Sequence, residues 1–358
     1  MFNSFCSGKK RLTDKLTGRN YWQLTDGNWV SHAPYTYCRA FNHDETYLIY
    51  SANRTGDYQL YRLEIETGLA CQLTDLAGYE NFSLNMHPAG KEVFFLAGSK
   101  VLAIDIESSE QRLVTDYQPL CGETPRLGRP CLSGDGTLVL NYYLRPDGRT
   151  AIASADTNGS KAEEIYVFSH FVAIGHLNFC PTNNNLVSFV PLPDHQHDFT
   201  LPPEKRSRAW WLNLVSGESQ PLITAPPGYR ATHEYWSPDG ERVYFHQKTH
   251  PGWTPTLIAS VNKVGADKQV HYQTNTIKLG HSSVNSAHTK LVSDSQQAGK
   301  NELVLIDLVS NTAEILCYPN ASGAPHPNHV HPAFSLSGEK IIFTSDVSGY
   351  AQVYLLEL

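Results

Sequence analysis

Seven tight-turn signals recur along the chain at nearly even intervals, and that regularity leaves few folds open. They are Asp44-Glu45, Ala89-Gly90, Asp135-Gly136, Asn183-Asn184, Asp239-Gly240, His288-Thr289 and Ser337-Gly338. Counted on the second residue, the intervals are 45, 46, 48, 56, 49 and 49 residues. A short apolar or aromatic run follows each turn, for example Val93-Phe94-Phe95-Leu96, Val243-Tyr244-Phe245 and Ile341-Ile342-Phe343. A second strand signal usually comes next, as at Gln59-Leu60-Tyr61-Arg62-Leu63. Short strands separated by tight turns mean antiparallel sheet. A repeat of about 45 residues, each holding four strands, is the pattern of a propeller blade. The chain is therefore expected to be all-β, a single seven-bladed β-propeller over residues 1–358.

The ends are expected to close the ring. The last blade stops at its third strand, Gln352-Val353-Tyr354-Leu355, while Gln23-Leu24-Thr25-Asp26 repeats the outer-strand tetrapeptide Gln72-Leu73-Thr74-Asp75 of the first blade. Residues from about 20 to 30 can supply the missing strand and cover an open sheet edge, leaving about 1–20 as an N-terminal extension. Arg11-Leu12-Thr13-Asp14 resembles the same tetrapeptide, so two segments compete for that role.

Composition narrows the partners. A net charge of -7 without a long basic run argues against nucleic acid, which needs a cationic stripe, though it leaves room for an acidic substrate where cations concentrate locally. The seven cysteines are scattered without a C-x-x-C pair, which disfavours a disulfide framework or zinc knuckle and favours a reducing compartment. The first ten residues lack an apolar core of signal-peptide length, and no apolar stretch reaches membrane-spanning length. A cytoplasmic protein with no membrane partner is the expectation. Oligomeric state is not encoded legibly.

Histidines fall at a common phase of the repeat. His233 stands seven residues before Gly240, His281 eight before Thr289, His176 eight before Asn184, and His331 and His329 seven and nine before Gly338. In a radial fold equal phase means equal distance from the axis, here near the start of each innermost strand. His329 and His331 can share one face of an extended segment with Val330 opposite. Preceded by His326 they read H-x-x-H-x-H, and with His281 they offer four imidazole donors suited to a transition metal rather than to Ca or Mg. The long connection in blade four, from about Pro191 to Ser207, accounts for the widest interval and carries Asp194, His195, His197, Asp198, Lys205 and Arg206. Arg208 follows it and could clamp a carboxylate in bidentate fashion.

These residues resemble the oligogalacturonate lyase family of seven-bladed propellers, over most of the chain but in patches. Thr232-His233-Glu234-Tyr235-Trp236-Ser237-Pro238-Asp239-Gly240 is similar to the segment that carries the family's general base, which implies that role for His233. His329-Val330-His331-Pro332, followed by Phe343-Thr344-Ser345-Asp346-Val347, looks like the family's metal segment, and His281 stands at the position of another metal histidine. Arg208 before Ala209-Trp210 resembles the substrate-binding arginine. A weaker match over Ser31-His32-Ala33-Pro34-Tyr35-Thr36-Tyr37 suggests His32 and Tyr37 as substrate contacts, beside His176 and His197. Where the family has a glutamine ligand this chain has His326, which implies a ligand set of His281, His326, His329 and His331.

The resemblance implies a divalent metal, Mn2+ in the first instance, and a uronic-acid oligosaccharide as substrate. The chemistry would be β-elimination: His233 removes the C5 proton while the metal and Arg208 neutralise charge building on the carboxylate. Two other readings compete. One is a non-catalytic TolB-like propeller that binds a protein or a glycan; the other is a lyase for another uronide, such as ulvan, glucuronan or rhamnogalacturonan fragments. A serine hydrolase is disfavoured, since no G-x-S-x-G occurs.

Overall fold

A computed structural model describes residues 4–122, 126–169, 171–296 and 301–358. Its strands form seven antiparallel sheets, five of four strands and two of five. They are the seven blades of a β-propeller. In blades three to six the strands lie in chain order, as for Ala173–Cys180, Asn183–Leu192, Ala209–Asn213 and Ser219–Ile223 in blade four.

The second strand of each blade explains why the sequence shows continuous apolar runs instead of strict alternation. Arg242–Thr249 and Glu92–Ala97 are buried on both faces over most of their length, whereas the outermost strands Glu163–Val167 and Thr312–Cys317 are exposed or half-buried over most of theirs. A strand sandwiched between neighbouring sheets needs apolar residues on both sides. Blade four meets blade five in this way through Trp211, Leu222, Ala231, Trp236, Val243 and Phe245. Each such large side chain contributes roughly 1.5–3 kcal/mol by leaving water.

Both candidate closing segments are used. Asn20–Gln23 pairs with Gln352–Glu357 as the fourth strand of the last blade, with Trp22 opposite Leu355, and Lys10–Thr13 adds a fifth strand outside it. Phe5–Cys6 pairs with Leu69–Gln72 and gives blade one its own fifth strand. The segment expected as an extension thus covers two outer edges.

One turn lies elsewhere than the spacing suggested. Asn183 and Asn184 begin a strand, and the reversal falls at Pro181-Thr182, with Cys180 opposite Asn183. Proline presets the backbone angle for the first corner of a turn, and that preference outweighs the Asn-Asn pair. Gly240, by contrast, occupies its expected turn with φ +70, and a Cβ there would come within 2.3 Å of Thr182 Oγ1 and 2.7 Å of Cys180 Sγ in the neighbouring blade. All seven cysteines are free thiols. Among the described residues no helix is long and apolar enough to cross a membrane.

By contacts the chain divides into two compact units. One comprises residues 1–95, 104–111 and 278–358; the other comprises 96–103 and 112–277.

Candidate functional site

The common phase of the histidines has a backbone cause. In three blades the first strand carries a β-bulge at that position. Thr232 pairs with His246 and Tyr235 with Tyr244, so His233 and Glu234 face one residue, Phe245. In the same way His176 and Leu177 face Phe189, and Gly280 and His281 face Asp294. His176 and His233 hold φ values of 49 and 56, in the left-handed region that side chains seldom occupy. His331 does so too, at 46. A bulge re-aims a side chain that regular pleating would send elsewhere.

In the first unit His281, His329 and His331 bring one ring nitrogen each to within 4.8 Å of one another. The ring of His326 lies 3.8 Å from that of His329 and 5.3 Å from that of His331, between centroids. His329 and His331 converge as expected, with Val330 buried behind them, but not by strand alternation. The strand begins only at Ala333, and the two rings meet through a bend at His329 and the left-handed backbone of His331.

Burial, reinforced by His326 and His281, pushes His329 down to about 4. Burial and the surrounding imidazoles push His331 well below its ordinary value. Both rings are therefore neutral near pH 7, the form that ligates a metal. Nδ1 of His329 and Nε2 of His331 are buried without a hydrogen-bond partner. Clustered neutral imidazoles with orphaned nitrogens fit a divalent transition ion.

Asp294 fixes His281. Its Oδ1 accepts from the backbone N–H of His281 at 2.5 Å and its Oδ2 from Nδ1–H at 3.0 Å, and the carboxylate is almost fully buried. Nε2 is then the nitrogen left for a ligand. Gly280 makes room, since a Cβ there would stand 2.4 Å from Asp294 Oδ1.

The segment around His32 supports this cluster. His32 is 1% exposed, donates from Nδ1 to the Ala33 carbonyl at 2.9 Å, and accepts at Nε2 from Asn81 at 3.1 Å. Burial pushes it down to about 4, against the pull of the Ala33 carbonyl. With both nitrogens engaged it reaches the cluster through Phe82, whose ring lies 4.4 Å from His32 and 5.5 Å from His326. Tyr35 packs 4.7 Å from His331, and Tyr37 stands one ring further out, 4.7 Å from Tyr35.

The second unit holds the other candidates. Glu234, 3% exposed, is the hub: its carboxylate accepts from Arg208 Nε at 3.0 Å and Nη2 at 3.4 Å, and it lies 2.7 Å from His176 Nδ1. Burial alone would raise its pKa, but Arg208 and His176 hold it down to about 2. The carboxylate gripped in bidentate fashion by Arg208 is thus the protein's own. The bulge that turns His233 outward, half-buried, sends the adjacent Glu234 inward. His246 packs against His233 with ring centroids 5.8 Å apart.

The blade-four connection is tied to the same strand. Gln196, 2% exposed, donates to the Ala231 carbonyl at 3.0 Å and accepts from its N–H at 2.7 Å, pairing as a backbone amide would. Asp194 lies 3.7 Å from both Arg208 and Arg230, and His197 stacks on His250 at 3.6 Å.

Glu234, Asp294, Phe82 and His250 were not singled out from sequence. Glu234 sat inside the Thr232–Gly240 segment and Asp294 five residues past the His288-Thr289 turn, yet isolated acids reveal their role only once the bulges set them opposite histidines.

Removing the Glu234 charge should be costly. Glu234→Gln removes the bidentate counter-ion of the Arg208 guanidinium, 12% exposed, and leaves the looser Asp194 contact at 3.7 Å, so a loss of roughly 3 kcal/mol is expected. The folded pKa of Glu234 lies below the ordinary 4.5, so the stability it supplies is complete above that pH and lost as pH falls toward 2. Thermal unfolding of wild type and variant from pH 6 to 2 should show a gap that closes over that window.

No family model matches the chain. Two oligogalacturonate-degrading enzymes align with nearly all of it: the oligogalacturonate lyase of Dickeya dadantii, at 21% identity over 96% of this chain and 95% of its own, and the oligogalacturonide lyase of Pectobacterium atrosepticum, at 22% over the same shares. Among solved structures, an oligogalacturonate lyase in complex with manganese superposes with a TM-score of 0.88 at 20% identity, over 100% of this chain and 98% of that one. The oligogalacturonate lyase of Vibrio parahaemolyticus gives 0.86 at 19%, over 99% and 98%. The solved structures establish the shared seven-bladed fold, and the sequence matches make the chain an end-to-end homologue of oligogalacturonate lyases.

Proposed function

We propose that this protein is a metal-dependent carbon–oxygen lyase that cleaves short uronic-acid oligosaccharides of the oligogalacturonate type by β-elimination. The observation that carries the reading is the gathering of His281, His329 and His331 nitrogens within 4.8 Å, in a chain that aligns end to end with oligogalacturonate lyases. His281, His329 and His331, joined by His326, would hold the ion, with Mn2+ as the first candidate because a related lyase is known in complex with manganese. A divalent ion bound there would draw charge from the substrate carboxylate as a Lewis acid.

The chain's own groups do the rest. His233, in its neutral form, takes the C5 proton. The electron pair released forms the C4–C5 double bond as the C4–O bond breaks, and the departing sugar oxygen takes a proton from water. Arg208, braced by Glu234, supplies positive charge as the carboxylate becomes enolate-like. His176 and His197 would contact the substrate, with His32 and Tyr37 shaping the wall behind the imidazole cluster through Phe82 and Tyr35. The protein is proposed to work in the cytoplasm on oligomers already shortened by other enzymes.

Asp294→Asn tests the ion-holding part separately from turnover. In asparagine one of the two accepting oxygens becomes an NH2 donor, so one of the two His281 N–H groups loses the acceptor it now has. Metal affinity, titrated calorimetrically with Mn2+, is expected to fall about 10–100-fold. Unchanged affinity would remove His281 from the ligand set.

A further inference from the structure

The chain carries a net charge of -7, yet the mouth of blade five concentrates cations. Arg230 and Lys248 are register partners on adjacent strands, so two like charges stand directly opposite each other. That pairing is unfavourable unless an anion or a screening partner offsets it. Nζ of Lys248 sits 3.3 Å from the centroid of the Trp253 ring, and the side chain is 3% exposed. Two residues beyond Lys248, His250 stacks on His197 of the blade-four connection, with ring planes 10° from parallel.

Asp194 lies 3.7 Å from Arg230 and equally far from Arg208, beyond direct hydrogen-bond length to either, while Glu234 is committed to Arg208 and His176. Nε of Arg230 and Nε2 of His197 are buried without a hydrogen-bond partner. The Gln196 bridge to Ala231 holds His197 in place, so the arrangement is preformed.

We infer that Arg230, Lys248, His197 and His250 form a subsite for a second carboxylate of the same oligomer, on a sugar other than the one that loses its C5 proton. The inference rests on the uronide reading proposed above. A polyuronide presents one carboxylate per sugar, and an acidic protein must meet each of them with local cations or accept repulsion. A guanidinium with an idle Nε edge beside an imidazole can hold a carboxylate with charge-assisted hydrogen bonds. Trp253, already against Lys248, offers an apolar face to the same sugar.

The test is Arg230→Gln, with Arg230→Lys as the conservative variant, measured on trigalacturonate. For Arg230→Gln the KM should rise roughly tenfold or more with kcat within about threefold of wild type. The KM should also depend less steeply on salt, and Arg230→Lys should recover most of the loss. A wild-type KM in Arg230→Gln overturns the subsite, and so does a fall in kcat at unchanged KM. Calorimetric binding of trigalacturonate to wild type and Arg230→Gln separates this from the lyase reading. A wild type that binds but never eliminates contradicts the lyase alone, and equal affinities in the two proteins contradict the subsite alone.

Discussion

His233→Ala is expected to abolish elimination while leaving bound metal and fold intact. A general base at a carbon acid typically contributes about 10²–10⁴-fold, and the loss should fall in kcat, because His233 meets the proton only as it leaves. His233 is half-buried on a strand whose neighbours Ala231, Glu234, Tyr235 and Trp236 are buried and carry the packing. Truncating its ring removes no core volume, so the thermal midpoint should shift little. The readouts are growth of ultraviolet absorbance from the unsaturated uronate and elemental analysis of the same preparation. A variant that loses its metal would place His233 among the ligands and leave the base unassigned.

The paired change His329→Ala and His331→Ala is the second large effect. Two of the three nitrogens within 4.8 Å disappear, and a single imidazole with a neighbour cannot retain a divalent ion through purification. Metal should fall from stoichiometric to background, and turnover with it. His331 is 1% exposed, so its truncation leaves a void that costs stability as well. Added Mn2+ should raise the thermal midpoint of wild type and not of the variant. Retained stoichiometric metal would contradict the ligand set. His326→Gln is a milder companion: it leaves the close triad in place and should shift preference among divalent ions rather than abolish binding.

Much of this architecture was legible in the chain because turns and buried strands write a periodic signal. The spacing of Gly90, Gly136, Gly240 and Gly338 records a backbone need, since each holds a positive φ. The histidine phase was legible for a related reason: it marks where the first strand bulges, a fact the sequence expresses only through the residue type the bulge displays. What it could not express was the partner across the bulge. Asp294 faces His281 because two residues of one strand oppose one of the next, and such register is set by pairing rather than by local composition. Arg208 was recognisable as a carboxylate clamp, while the identity of its carboxylate, Glu234, depended on the same geometry. Asn183-Asn184 misled because composition marks a turn to within a residue or two, and Pro181 decided which.

If this chain breaks a uronide by elimination, the product carries a 4,5-double bond. Purified, Mn2+-loaded protein mixed with digalacturonate and followed in the ultraviolet tests it most directly. Growth of the absorbance of a 4,5-unsaturated uronate, absent when metal is removed by a chelator and restored when Mn2+ is returned, is the result expected. Consumption of the oligomer to saturated galacturonate without that absorbance, or no consumption at all, would contradict it.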